Sequence, residues 1–299
     1  MESVAYISIW IAGDWQDYAL LDAGYGEKIE RWGPFVLRRP DPQAVWPADK
    51  DAGHWLDADA FYHRSASGGG AWEFSRALPE KWAISYKRLR FNVKPMQFKH
   101  TGLFPEQAVN WDWIVDRLGS RRWRDGDKRV LNLFAYTGAA TMAAASAGAC
   151  VCHVDAARGM VQAAKENAGL SNIPHEKTRY IVDDVFKFVR REIRRGAEYD
   201  AIIMDPPAYG RGPGGELWKA EDHLSDIVEL CAQLLSDDPL FFVINSYTTG
   251  TSATSIENIL KVVVAGRFGG AAESGELGIP AMRGGIVLPC GCCARWERS

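Results

Sequence analysis

A mixed α/β protein, built on a mostly parallel central sheet with helices on both faces and preceded by a small β-rich part, is what this 299-residue sequence predicts. Two features of the chain carry that expectation. From about Pro105 onward, short apolar runs alternate with longer amphipathic stretches, the texture of βαβ units. Ahead of it, residues 1–95 are rich in Trp and Tyr and alternate over short runs, as strands do. With 47% hydrophobic and 24% charged residues the composition is that of a folded globular chain.

The elements follow in order. Val4 to Trp10 and Trp82 to Tyr86 read as strands of the first part. Gly24, Gly26, Gly33-Pro34, the prolines from Pro40 to Pro47 and the stretch Ser65 to Gly70 separate such runs. The texture changes between Val93 and Lys99, which gives a division into residues 1–95 and 96–299. In the second part strands are expected at 129–133, 150–154, 178–182, 199–204 and 239–245. Helices are expected at 105–118, 138–147, 158–169, 185–194, 222–235 and 254–264, with Gly169 and Gly196 as stops. Gly285 to Trp296 reads as an additional edge strand.

Composition also excludes several classes. Leu131 to Val154 lacks Asp, Glu, Lys and Arg, but Ala, Gly, Ser, Thr and Cys dominate it and it divides into strand, turn and helix, so it is not a membrane span. No basic, apolar, small-residue leader precedes the six cysteines, which fits a reducing cytoplasm. Net charge is -3, so the whole molecule does not advertise a polyanion partner. Local groups at Arg121, Arg122 and Arg124, at Arg190, Arg191, Arg194 and Arg195, and at Lys87, Arg88 and Arg90 are either phosphate contacts or solvated faces. Cys290-Gly291-Cys292-Cys293 is too compact for a four-ligand zinc site, and no metal is expected.

Four strand ends carry the chemistry. The strand containing Asn132 runs into Phe134-Ala135-Tyr136-Thr137-Gly138 and an Ala-rich helix, so a ligand can meet backbone N–H groups at a helix start. Asp155 ends the next strand, 17 residues after Gly138, where a carboxylate accepts from ribose hydroxyls or caps a helix. Asp184 follows the third strand, with Val185 and Phe186 able to cover an adenine face, and it too suits a helix cap. Asp205-Pro206-Pro207-Ala208-Tyr209 follows the fourth. Two prolines stiffen that loop, the Asp205 carboxylate and Pro206 carbonyl are acceptors for an amino group, and Tyr209 offers a stacking face.

Together, Phe134 to Gly138, Asp155, Asp184 and Asp205-Pro206-Pro207 resemble the motifs of class I S-adenosylmethionine-dependent methyltransferases. With His100-Thr101-Gly102-Leu103-Phe104-Pro105-Glu106-Gln107 upstream, the chain is similar to the branch containing the large-subunit ribosomal RNA cytosine methyltransferases. The resemblance covers about residues 97–296. It implies a Rossmann-like fold and S-adenosyl-L-methionine as cofactor, with Thr101, Phe104 and Gln107 beside it. It further implies methyl transfer to a base in RNA, with ribosomal RNA as partner and Asp205, Pro206 and Tyr209 as the catalytic set. The branch has a cysteine after the fifth strand, where this chain has Ser246, so a C5 mechanism through a thiolate lacks its nucleophile. The loop is equally similar to that of methyltransferases acting on an amino or amide nitrogen of adenine, DNA or glutamine. A non-catalytic RNA-binding protein keeping the fold, and a nicotinamide oxidoreductase, are the other classes, the latter opposed by the missing G-x-G-x-x-G. The oligomeric state is not legible.

Overall fold

The computed structural model describes residues 8–65, 69–96, 99–120, 128–212, 214–248 and 250–298. Arg121, Arg122 and Arg124, and part of the stretches expected at 4–10 and 65–70, lie outside the described residues. Two compact units are present. One comprises residues 1–10, 110–276 and 291–299, the other residues 11–109 and 277–290. Texture places the change of character near residue 95, whereas compactness places it at 109/110 and returns residues 277–290 to the β-rich unit. A return of the chain over such sequence distance leaves no mark in local composition.

The β-rich unit holds β2 (Tyr18–Gly24), β3 (Glu27–Trp32), β4 (Phe35–Pro40), β5 (Ala60–Arg64) and β6 (Gly70–Phe74) in one five-stranded sheet, after β1 (Ser8–Ile11) of the other sheet. A short helix α1 (Gly53–Leu56) joins β4 to β5, and β7 (Trp82–Tyr86) pairs with β8 (Leu89–Val93) as a hairpin. The unit buries charge as well as aromatics. Glu30 is fully buried and receives both Nε and Nη2 of Arg39 at 2.7 and 2.8 Å, together with the Tyr18 hydroxyl at 2.8 Å. Burial alone would raise the Glu30 carboxyl, but Arg39 and Lys28 outweigh it and hold the group at about 2. A bidentate pair satisfied on both oxygens is the arrangement in which a buried carboxylate survives desolvation.

The larger unit is the α/β part. Its elements are α2 (Ala108–Ser120), β9 (Arg129–Leu133), α3 (Ala139–Ser146), β10 (Cys150–Asp155), α4 (Arg158–Leu170), β11 (Thr178–Val182), α5 (Val185–Arg194) and β12 (Ala201–Met204). A hairpin of β13 (Tyr209–Arg211) and β14 (Leu217–Lys219) precedes α6 (Ala220–Ala232) and β15 (Phe241–Ser246). α7 (Ala253–Leu260), a π-helical turn over Lys261–Ala265, the short α8 (Gly266–Phe268), β16 (Ala271–Pro280) and β17 (Val287–Glu297) follow, with residues 277–290 of the last two strands counted in the β-rich unit. Sheet order is β1-β16-β17-β15-β12-β9-β10-β11. β9, β10, β11, β12 and β15 pair in parallel, and β17 is antiparallel to β15.

Every residue of β12 and β15 is buried, as central parallel strands with covered faces require, while β11 at the edge buries only Thr178 and exposes Arg179 and Val182. The five expected strands form within two residues of their expected ends. Three details differ. Gly285 to Trp296 supplies β17, which lies inside the sheet between β15 and β16, because β16 pairs on its far side. Residues 105–107 form a 3-10 turn before α2. Gly169 lies inside α4, and the left-handed residue that ends this helix is Asn172 at φ 53°, whereas Gly196 at φ 63° does follow α5.

No described helix is long and apolar enough to cross a membrane. Arg39→Met, which strands the buried Glu30 carboxylate, is expected to cost roughly 3–5 kcal/mol in urea unfolding at pH 7. Because the folded pKa of Glu30 is depressed, its contribution is present above the unfolded value and fades as pH falls from about 4.5 toward 2. The gap between wild type and Arg39→Met should therefore narrow at pH 3.

Candidate active site

Chain order runs β9, β10, β11 outward and then returns to β12 on the opposite side of β9. This reversal makes β9/β12 the switch point of the parallel sheet, where the two following loops part and leave a crevice at the carboxyl ends. Those loops are Phe134 to Gly138 and Asp205 to Ala208. They start side by side, since Leu133 is in register with Met204 and the Asp205 N–H donates to the Leu133 carbonyl at 3.4 Å.

The first loop is wound tightly. Phe134, Tyr136 and Gly138 all have left-handed backbone, at φ 54°, 49° and 86°. For the two aromatic residues that conformation costs of order 1–3 kcal/mol each and persists only where neighbours enforce it. Three contacts do so. Asp155 Oδ2 accepts the Tyr136 N–H at 2.8 Å, the Asn167 side chain donates to the Thr137 carbonyl at 3.0 Å, and the Ala135 N–H donates to the Val154 carbonyl at 3.0 Å. At Gly138 a Cβ would stand 2.9 Å from the Ala164 Cβ of α4, so glycine is needed for both conformation and closeness.

Beneath the loop runs a buried polar chain. Asn132 Nδ2 donates to Thr141 Oγ1 at 2.8 Å, and Thr141 Oγ1 meets His153 Nδ1 at 2.9 Å. His153 is fully buried, and burial lowers its pKa to about 3, so it is a neutral structural imidazole. Asn132, expected beside a cofactor, spends its amide on this chain. His153 was invisible as a site-support residue in sequence because an isolated His in an apolar strand carries no motif.

Asp155 is half-buried at the end of β10. Burial raises its pKa, partly offset by the N–H groups of Ala157 and Tyr136, each donating to one carboxylate oxygen. Each oxygen keeps a further lone pair for a hydroxyl. Asp155 does not cap α4, whose N-cap is Ala157. Asp184 does cap α5, accepting the Lys187 N–H at 2.9 Å through Oδ1, next to buried Val185 and half-buried Phe186. In the second loop Pro206 is buried, Asp205 half-buried, and Tyr209 exposed on β13. Thr101, Phe104 and Gln107 belong to the β-rich unit. Thr101 is fully buried there, the Phe104 ring lies 5.5 Å from the His100 ring, and the Gln107 N–H closes the 3-10 turn on the Phe104 carbonyl.

At the far side of the crevice β15 ends in Ser246, whose Oγ accepts the Thr248 N–H at 3.3 Å. Cys292 stands opposite Ser246 across the β15–β17 pair, and Cys293 opposite Asn245. Burial pushes the Cys292 thiol to about 11 and the Cys293 thiol to about 12, so both stay protonated near neutrality.

Comparison with known proteins gives the family. Residues 42–258 match the family model of S-adenosylmethionine-dependent methyltransferases. The chain belongs to this family. Ribosomal RNA large subunit methyltransferase I of Yersinia pestis is 35% identical over 159 residues, which is 52% of this chain but only 38% of that relative's own length. A crystal structure of an S-adenosylmethionine-dependent methyltransferase from Agrobacterium tumefaciens is 37% identical and superposes with a TM-score of 0.90 over 98% of this chain and 94% of that one. A proposed methyltransferase from Streptococcus mutans shares the fold, with a TM-score of 0.72 at 17% identity over 95% of this chain and 76% of that one.

The family cofactor, S-adenosylmethionine, fits the residues present. Phe134 to Gly138 wind tightly at the carboxyl end of β9, both Asp155 oxygens keep a lone pair beyond their bonds to Ala157 and Tyr136, and half-buried Phe186 offers an apolar ring. Replacing Gly138 by Ala, which adds both an unfavourable φ and the Ala164 clash, is expected to lower stability by about 1–3 kcal/mol and weaken S-adenosylhomocysteine binding in calorimetry. The double change Gly138→Ala with Ala164→Gly should recover only the packing part. Asp155→Ala, which removes a charged acceptor and a brace of the loop, should weaken that binding by roughly 100-fold or more; unchanged affinity would remove the ribose assignment.

Proposed function

We propose that this protein transfers a methyl group from S-adenosylmethionine to a base in RNA, ribosomal RNA being the substrate class favoured, and that it does so in the cytoplasm. The observation that carries the reading is the pair of loops at the switch point, one strained at Phe134 and Tyr136 and the other made rigid by Pro206 and Pro207. The name of the 35% identical relative supports the RNA substrate. Bound at the first loop, S-adenosylmethionine supplies a sulfonium-activated methyl for in-line displacement, a reaction that needs chiefly positioning.

Within that reading, Asp155 takes the ribose hydroxyls and Asp184, through the oxygen not used as a cap, takes the adenine amino group. Phe134 to Gly138 surround the methionine portion. Asp205 and the Pro206 carbonyl orient the accepting base, while Tyr209, exposed beside them, stacks on it.

Which atom is methylated is a second choice, and one observation favours an amino nitrogen over a pyrimidine C5. C5 transfer needs a thiolate or an activated hydroxyl at C6. Here Ser246 Oγ accepts a backbone N–H, and Cys292 and Cys293 are held protonated by burial. An amino group needs only acceptors, which Asp205 and Pro206 provide.

The reading is tested by calorimetric titration with S-adenosylhomocysteine, with NAD in a parallel cell, and by mass spectrometry of ribosomal RNA from cells lacking the gene. Binding of S-adenosylhomocysteine alone, together with loss of one methylated base, is the expected result. NAD binding instead would reassign the protein to the oxidoreductases, and binding without an RNA change would point to a protein or DNA amine. Asp205→Ala is expected to keep S-adenosylhomocysteine affinity within about threefold while lowering transfer by roughly 100-fold or more. Retained transfer would make the loop structural.

A further inference from the structure

The hairpin of β13 and β14 follows the Asp205-Pro206-Pro207 loop, and one of its residues touches two loops of the site and the first turn of α5. Trp218 lies opposite Gly210 in the hairpin and is 8% exposed, whereas its neighbours Leu217 and Lys219 face solvent. Its indole N–H donates to the Pro207 carbonyl at 2.6 Å. Its ring meets Phe134 of the first loop with centroids 4.7 Å apart and planes inclined by 53°, and meets Phe186 of the adenine side at 6.1 Å.

The hairpin is anchored at its other end as well. The Gly212 N–H donates to the Glu216 carbonyl, the Gly214 N–H donates to the Glu216 carboxylate, and Glu216 pairs with Lys187 in the first turn of α5. Gly212 passes so close to Asp184 that a Cβ there would stand 3.1 Å from Asp184 Oδ2. The hairpin therefore bears on the elements that follow β9, β11 and β12.

A buried Trp in a core is ordinarily a packing residue, and Trp218 does belong to the main apolar cluster. Two facts go beyond packing. Its single polar group is spent on the carbonyl two residues after Asp205, and two of its ring partners are the aromatic residues that line the cofactor crevice. An indole is rigid, with two rotatable bonds, so displacement of one of its contacts moves the others.

We propose that Trp218 is a positioning residue that couples the cofactor loops to the transfer loop: order at Phe134 and Phe186 is transmitted through the indole to Pro207, and so to Asp205. The proposal rests on the methyl-transfer reading given above. It makes cofactor binding and alignment of the accepting base parts of one mechanical unit, and it places in a hairpin with no motif a residue on which turnover depends.

Two variants separate the contacts. Trp218→Phe keeps a ring against Phe134 but lacks the N–H, so S-adenosylhomocysteine affinity is expected within about threefold of wild type while methyl transfer to ribosomal RNA falls about tenfold or more. Trp218→Ala removes the shared wall and should weaken S-adenosylhomocysteine binding by about tenfold or more. In a double-mutant cycle on that affinity, Trp218→Ala and Phe134→Ala should be non-additive by about threefold or more, a readout that general loosening of the core does not produce. Full transfer by Trp218→Phe, or an additive cycle, overturns the proposal. Wild-type protein that binds no S-adenosylhomocysteine overturns the methyl-transfer reading and this inference together, whereas wild-type binding with inert variants overturns the inference alone.

Discussion

The left-handed turn after β9 is the constraint from which the rest of the site follows. Two aromatic residues hold positive φ there against a cost of order 1–3 kcal/mol each, and a protein keeps such strain only where surrounding bonds enforce it. Enforcement comes from residues distant in sequence: Val154 and Asp155 at the end of β10 and Asn167 on α4. The same carboxylate thus braces the loop and, in the proposed reading, takes the ribose hydroxyls, so that role and the loop's shape are not separable. Gly138 completes the arrangement by letting α4 approach to Ala164, which a side chain at that position would prevent.

Burial supplies the stiffness behind this loop. β12 and β15 are covered on both faces, and the polar side chains that enter the sheet beside them are paired with one another. Asn132, Thr141 and His153 form one chain, and Asn110, Asn245 and Arg295 form another, with the Arg295 guanidinium 3.9 Å from the Trp10 ring centroid. Buried polar groups left unmade cost about 1–3 kcal/mol each, so these chains restrict the sheet to one arrangement more firmly than apolar packing alone. The β-rich unit uses the same device in charged form, at Glu30 and Arg39.

Against that rigid ground the parts assigned to substrate are more exposed. Tyr209 is 54% exposed, and the hairpin that carries it meets the site through the inward Trp218 and through Gly212, which passes close to Asp184. An acceptor of varied shape can then be met by an exposed face while the reacting geometry is held by buried groups. Chemistry at an amino nitrogen suits such a division, since it asks for acceptors in fixed places and for no nucleophile from the protein.

Much of this was legible in residue order. Strand ends at Leu133, Asp155, Asp184 and Asp205 could be read because local period and breakers are properties of neighbouring residues, and the motifs at those ends depend on spacing that the chain itself carries. Asp-Pro-Pro announced a rigid loop for the same reason: proline restricts its own backbone wherever it stands. Other features were decided only by the tertiary structure. Whether Gly285 to Trp296 lay at an edge or inside the sheet depended on β16 pairing beside it, a contact between segments with no local signature. His153, Asn167 and Trp218 carry no motif, and their roles arise from which loops the fold brings to them. Residue order alone determined where the strands end and which acids and prolines follow them; only packing decided which side chains hold those ends in place, because hydrogen bonds and ring contacts between distant residues are set by distance in space and not along the sequence.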